Sequence, residues 1–179
     1  MTLNYTLNFD DFLEYQLYAS SKSKRQKQNR NKSRIIIPII YVILGLVMFI
    51  LKKTELSILF ILFALLWYVF YPLYSKGRYK RHFENHIKEN YTNRIGKENE
   101  LTFGDEADFI ETSSFGSQSR IQESEFDKLI ELKDHYFLRL KSDLTIIIPK
   151  RAVTDHAEFK KLFTDIDLDY VDELDWEWK

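Results

Sequence analysis

Two uncharged apolar segments stand almost back to back in this chain. Ile35–Leu51 reads IIIPIIYVILGLVMFIL, and Leu56–Tyr74 reads LSILFILFALLWYVFYPLY. Only Lys52, Lys53, Thr54 and Glu55 separate them. At a rise of ~1.5 Å per residue the segments extend roughly 26 and 28 Å as helices, against a hydrocarbon core of ~30 Å. A buried hairpin in a soluble protein would keep a polar stripe. Here Pro38, Tyr41, Gly45, Ser57 and Pro72 do not recur on one helical face. The expectation is therefore a transmembrane helical hairpin over residues 35–74, with spans 35–51 and 56–74. Pro38 is expected in the first helical turn of the first span, and Pro72 at a kink or end of the second. A cleaved signal is not expected, since a largely polar stretch of more than thirty residues precedes the first segment and Lys52-Lys53 follows it.

Charge predicts the orientation. Lys22, Lys24, Arg25, Lys27, Arg30, Lys32 and Arg34 precede the first span; Lys76, Arg78, Lys80 and Arg81 follow the second. The connection carries only Lys52 and Lys53. Excess positive charge on both outer flanks predicts both termini in the cytoplasm of a multi-pass membrane protein. Trp67, Tyr68, Tyr71 and Tyr74 are expected to form an interfacial belt at the inner end of the second span, with Lys32, Arg34, Lys52, Lys53, Lys76 and Arg78 at the headgroups. Neither span holds an ionisable residue other than tyrosine, which argues against a transporter or channel.

The net charge of −1 conceals a split: residues 1–81 hold 13 Lys and Arg against 4 Asp and Glu, whereas residues 82–179 hold 13 against 23. The basic half suits an anionic membrane surface. The run 20–34 has no aromatic on which a base could stack, so nucleic acid is not an expected partner. The chain has no cysteine, which removes disulfides, thiolate metal sites and thiol nucleophiles.

Leu3, Tyr5, Leu7 and Phe9 alternate with polar residues, the pattern of a half-buried strand. Asp10 and Asp11 offer an N-cap to a short amphipathic helix carrying Phe12, Tyr15, Leu17 and Tyr18. After the hairpin a helix is expected over 76–91. Strands follow at 100–103, 108–113, 120–122, 128–132, 136–140 and 144–148, with turns at Gly104-Asp105, Lys133-Asp134-His135 and Lys141-Ser142-Asp143. Thr154 is expected to cap a final helix over 154–163. A lone strand is unstable in water, so the N-terminal one must pair with strands beyond the hairpin. The fold class is α+β: a transmembrane hairpin inserted between an N-terminal strand and helix and a small antiparallel β domain closed by a helix. The domains are 1–34, 35–74, a juxtamembrane helix and linker over 75–98, and a β-rich domain with an acidic tail over 99–179.

This order resembles the YcxB-like family of bacterial membrane proteins. The most specific matching residues are Ile146-Ile147-Ile148-Pro149-Lys150-Arg151-Ala152-Val153, at a strand-to-helix junction. Ser124–Glu131 is a second match, with Phe126 where the family commonly has tryptophan; Tyr71-Pro72 is a third. The resemblance implies a pleckstrin-homology-like domain on the cytoplasmic face of a bacterial inner membrane, and no assigned chemistry.

The residues themselves suggest little catalysis. His82 and His86 share helical spacing, but HFENH is not HExxH, and both suit a juxtamembrane helix. Lys150 and Arg151 suit a phosphate or acidic partner, or equally pairing with nearby carboxylates. The tail from Asp165 holds seven acidic residues with Tyr170, Trp176 and Trp178, fit for docking or for packing on the domain. Ser113–Ser117 reads as a hairpin turn rather than a phosphate loop. No nucleophile–base set is recognisable, so no enzyme activity, cofactor or metal is expected. The leading expectation is a membrane-tethered protein-binding or regulatory module with Lys150 and Arg151 in its site, in one version an immunity-type protein; the alternative is inner-leaflet lipid binding. The partners expected are the bilayer and a protein.

Overall fold

The computed structural model describes residues 1–103, 109–114, 116–164 and 168–178. It divides into two compact units. One comprises Met1–Tyr15 with Asn85–Glu177; the other comprises Gln16–Glu84, joined by Trp178. The predicted turn at Gly104-Asp105 lies outside the described residues.

The second unit is dominated by two long helices. Helix α1 (Phe9–Lys22) leads from the first unit to Ser23, whose hydroxyl caps α2 (Lys24–Ile50) by accepting from Gln26 N–H. A tight turn then leads to α3 (Thr54–Asn90). Both α2 and α3 are long and apolar enough to cross a membrane. Each exceeds its expected span. The basic run is helical because it continues the apolar segment without a break. The helix expected over 76–91 is instead the end of α3. Pro38 therefore lies inside α2 rather than in its first turn, and Pro72 lies inside α3 without ending it. Each proline lacks the N–H that would serve the carbonyl four residues earlier, at Arg34 and Tyr68.

The turn closes by hydrogen bonding rather than by glycine. Lys53 N–H donates to Met48 O at 3.0 Å and Lys52 N–H to Phe49 O at 3.0 Å, the paired bonds of a Schellman motif. Lys52 takes φ +59°. Gly45 provides the close approach between the helices: a Cβ there would lie 3.3 Å from both the backbone oxygen of Ser57 and Cγ1 of Ile61. The Ser57 carbonyl is fixed in a helix and cannot yield cheaply. We expect Gly45→Leu to destabilise the hairpin by about 1–3 kcal/mol, with Gly45→Ala costing less. Thermal melting of the full chain in detergent checks this, and an unchanged Gly45→Leu midpoint would refute the close contact.

The first unit holds two four-stranded sheets. β1 (Thr2–Thr6), β2 (Glu98–Phe103), β3 (Phe109–Ser114) and β4 (Ser117–Gln122) form an antiparallel meander in that order. Leu3 pairs with Leu101, so the N-terminal strand does pair beyond the hairpin. Gly116, at φ +73°, turns the chain between β3 and β4. The second sheet contains β5 (Phe126–Glu131), β6 (His135–Leu140), β7 (Thr145–Pro149) and β8 (Asp169–Asp172), in the order β7-β6-β5-β8. Strand β8 was not expected. Its acidic sequence hides it, and it pairs in parallel with β5. Pro149 ends β7, an edge strand, where its missing donor costs the ladder nothing.

Helix α4 (His156–Thr164) closes the core. It is capped by Asp155 rather than Thr154: the carboxylate accepts from Ala157 N–H at 2.9 Å and Glu158 N–H at 3.0 Å. Phe159 is fully buried, with ring centroids 4.9 Å from Tyr136, 5.9 Å from Phe103 and 5.1 Å from Phe163. Leu3, Leu101, Ile110, Leu138 and Ile148 complete this core between the sheets. Phe126 belongs to the same core. The other face of β6 is also covered, since the Tyr15 ring meets Phe137 edge-on at 5.4 Å. Two covered faces explain why HYFLRL reads as an apolar run more than as an alternation.

Candidate functional site

The junction Pro149-Lys150-Arg151-Ala152 leaves β7 as a short 3-10 turn and carries two cations into the first unit. Each meets a buried carboxylate. Arg151 binds Asp11 with both arms of its fork: Nη1 donates to Oδ1 at 2.8 Å and Nη2 to Oδ2 at 2.6 Å. Nη2 also donates to Thr6 O at 3.0 Å. Asp11 is 1% exposed. It further accepts from His135 Nε2 at 2.7 Å and from Asn8 N–H at 2.7 Å. In return Asp11 N–H donates to Asn8 Oδ1, which makes Asn8 the cap of α1 and Asp11 its third residue, a role the sequence reading gave to Asp10 and Asp11.

His135 lies between two acids, with Nδ1 3.1 Å from Glu14 Oε2. Burial works against its proton, but the bond to Asp11 and the Glu14 carboxylate beside it outweigh burial and push its pKa up to about 9. For Asp11, burial alone would raise the pKa; the bonds from Arg151 and His135 hold it well below the usual carboxylate range. Two anions and two cations thus form a closed, neutral set.

Lys150 enters a second cluster. Its Nζ lies 2.6 Å from Glu131 Oε1, while Lys160 and the Tyr170 hydroxyl reach Oε2. Tyr136 OH donates to Glu131 Oε1 at 3.4 Å and lies 3.2 Å from His156 Nδ1. Burial raises the Glu131 pKa, and the bonds from Lys150, Lys160 and Tyr170 overcome it, bringing the group down to about 2. The Tyr136 phenol is pushed up to about 12 by burial and by the Glu131 charge. These clusters join α1, β1, β5, β6, α4 and β8 through the junction. Their polar atoms are largely spent on each other.

The open surface of this unit lies elsewhere. Strand β4 is the outer strand of its sheet, and four of its residues, Ser117–Arg120, are exposed. Beside it the polar face of β2-β3-β4 forms a shallow cavity of about 260 Å³. Glu100, Thr102, Glu111, Ser113, Gln118 and Arg120 are among its lining.

In the second unit, Trp67, Tyr71 and Tyr74 cluster with centroids 5.6–6.4 Å apart. Arg34 lies over Tyr68 at 4.5 Å. Lys32, Lys52, Lys53, Lys76 and Arg78 are exposed. His86 is 3.1 Å from the Asn90 amide, and among the described residues no three His, Asp or Glu side chains are grouped for a metal. The sequence reading did not find Asp11, Glu131 and His135 as partners of the junction. Of these, Asp11 alone is named by the sequence, as a helix cap.

Neither a curated protein nor a solved structure matches the chain. The family model described as YcxB-like protein matches residues 106–163, so the stretch that takes in β3 to β7 and most of α4 is similar to that family.

Proposed function

We propose that this protein is a bilayer-anchored module that holds an extended protein segment against the edge of β4. The hairpin α2–α3 inserts in the inner membrane of a bacterium with both termini in the cytoplasm, and the two-sheet unit serves as a pleckstrin-homology-like domain. The exposed β4 edge carries this reading. The two sheets have four edges. Pro149 blunts β7, β8 is only four residues long, and Arg151 occupies the Thr6 carbonyl of β1. Strand β4 keeps its outer backbone groups beside a polar cavity, and edge strands recruit peptides by completing such a ladder. Lys150 and Arg151 support this surface from within, by fixing the unit, rather than meeting the partner through their pairing atoms.

Adjacent residues of an edge strand direct their N–H groups alternately inward and outward. Gln118→Pro and Ser119→Pro, tested singly, should therefore differ. One breaks the β3–β4 ladder and destabilises the unit. The other leaves the fold intact and releases the partner that co-purifies with full-length protein in mild detergent. A folded protein extracted without any stoichiometric partner, or a partner retained by both variants, would end this reading.

A further inference from the structure

We infer that Arg30, Arg34 and Ser75, with the aromatic cleft beside them, bind the phosphate headgroup and one acyl chain of an anionic phospholipid. The inference rests on insertion of the hairpin but not on any protein partner. Arg30 and Arg34 are one helical turn apart on α2 and so share a face. The Arg30 guanidinium lies 5.2 Å from the Trp178 ring and 5.5 Å from Tyr79; that of Arg34 lies 4.5 Å from Tyr68. Stacking occupies the faces of these cations and leaves their N–H edges for a planar or tetrahedral anion.

One nitrogen of each guanidinium lacks an acceptor. Nη1 of Arg30, Nε of Arg34 and the hydroxyl of Ser75 are buried without a hydrogen-bond partner among the described residues. Ser75 itself is 5% exposed. An unpaired buried polar group is unfavourable, more so when charged, so three in one region ask for an acceptor. The second unit cannot supply it from nearby acids. Among its described residues the acidic side chains are Glu55 and Glu84. Glu55 opens α3 at the far turn, and Glu84 lies nine residues beyond Ser75, ~13 Å along the helix. A phosphate offers several oxygens and the required charge.

The cleft selects a lipid over a free phosphate. It has a volume of about 300 Å³ and is lined by Tyr41, Phe63, Trp67, Phe70, Tyr71 and Tyr74, with Leu66. Trp67 Nε1 donates to Ser33 O at 3.4 Å, which brings the cleft wall to the residue before Arg34. On α3, Tyr71 precedes Ser75 by one turn. Headgroup donors and apolar cleft are thus continuous, in the order a phospholipid presents phosphate and chain.

The test uses full-length protein reconstituted in phosphatidylcholine vesicles containing phosphatidylglycerol, with bound phosphatidylglycerol counted by native mass spectrometry after detergent extraction. Arg30→Gln/Arg34→Gln should retain about tenfold less lipid or lower, because two charge-assisted contacts are lost. Lys24→Gln/Lys27→Gln, which removes equal charge from exposed positions of the same helix, should retain the wild-type amount. Equal loss in the two variants would mean diffuse charge attraction and overturn the site. Displacement of the lipid by inorganic phosphate would overturn the acyl-chain assignment. Alkaline carbonate extraction separates the failures: protein released from the vesicles refutes insertion and the site together, whereas inserted protein without selectivity refutes the site alone.

Discussion

Asp11→Ala should destabilise the two-sheet unit by about 3–5 kcal/mol, the usual cost of breaking a buried ion pair by removing one partner. Asp11 is the common acceptor for Arg151, His135 and Asn8 N–H, at distances of 2.6–2.8 Å. Without it, His135 keeps only Glu14, and the Arg151 fork keeps only the Thr6 carbonyl. The start of α1 loses its reciprocal cap as well. Arg151→Ala removes the same contact from the other side, so the two losses should not add. A double-mutant cycle should give a coupling of about 1–3 kcal/mol. Denaturation of the full chain in detergent, followed by tryptophan fluorescence, measures each corner. A loss below about 1 kcal/mol for Asp11→Ala would place this pair among the weak surface bridges and remove its structural role. The prediction also governs how partner binding can be probed. Charge reversal at Lys150 and Arg151 puts two more acids against buried Glu131 and Asp11, so a partner lost from such a variant reports unfolding rather than the location of a surface.

What was legible in the sequence follows from how local each signal is. Alternation over Leu3, Tyr5 and Leu7 identified a strand, and the instability of a lone strand identified where its partners must lie. The six later strands were each found to within a few residues, because turn residues punctuate them. Strand β8 escaped because Asp169, Tyr170, Val171 and Asp172 show weak apolar alternation among acids, and its pairing with β5 is parallel and distant in sequence. The helical state of Lys24–Arg34 escaped for a different reason. A segment polar on every side has no face to bury, and it is helical as the extension of an apolar helix. For the junction, both readings of Lys150 and Arg151 were available from charge type alone. Choosing the carboxylates required tertiary structure, since Arg151 and Asp11 lie 140 residues apart. The contact of Gly45 with Ser57 appears only when the two helices are laid together.

The two-sheet unit should be most stable between about pH 5 and 6.5 and should weaken toward pH 9, with His135 responsible for the alkaline limb. Its folded-state pKa of about 9 stands above the ordinary 6.5, because the bond to Asp11 and the nearby Glu14 carboxylate overcome the effect of burial. A raised pKa means that the folded state holds the proton more tightly than the unfolded chain. The resulting stability is complete below pH 6.5 and is lost as pH rises through 9, amounting to roughly 3 kcal/mol at the shift involved. The acid limb has the opposite sign. Glu131, at about 2 in the fold against an ordinary 4.5, contributes stability that is complete above 4.5 and lost as pH falls toward 2. Asp11 acts in the same direction. His135→Gln should be less stable than wild type at pH 6, yet nearly level between pH 6.5 and 9. Melting midpoints of both proteins across that range decide the matter. A wild-type midpoint equal at pH 6 and 9, or a His135→Gln protein with the wild-type slope, would show that the imidazolium does not hold Asp11 and Glu14 together.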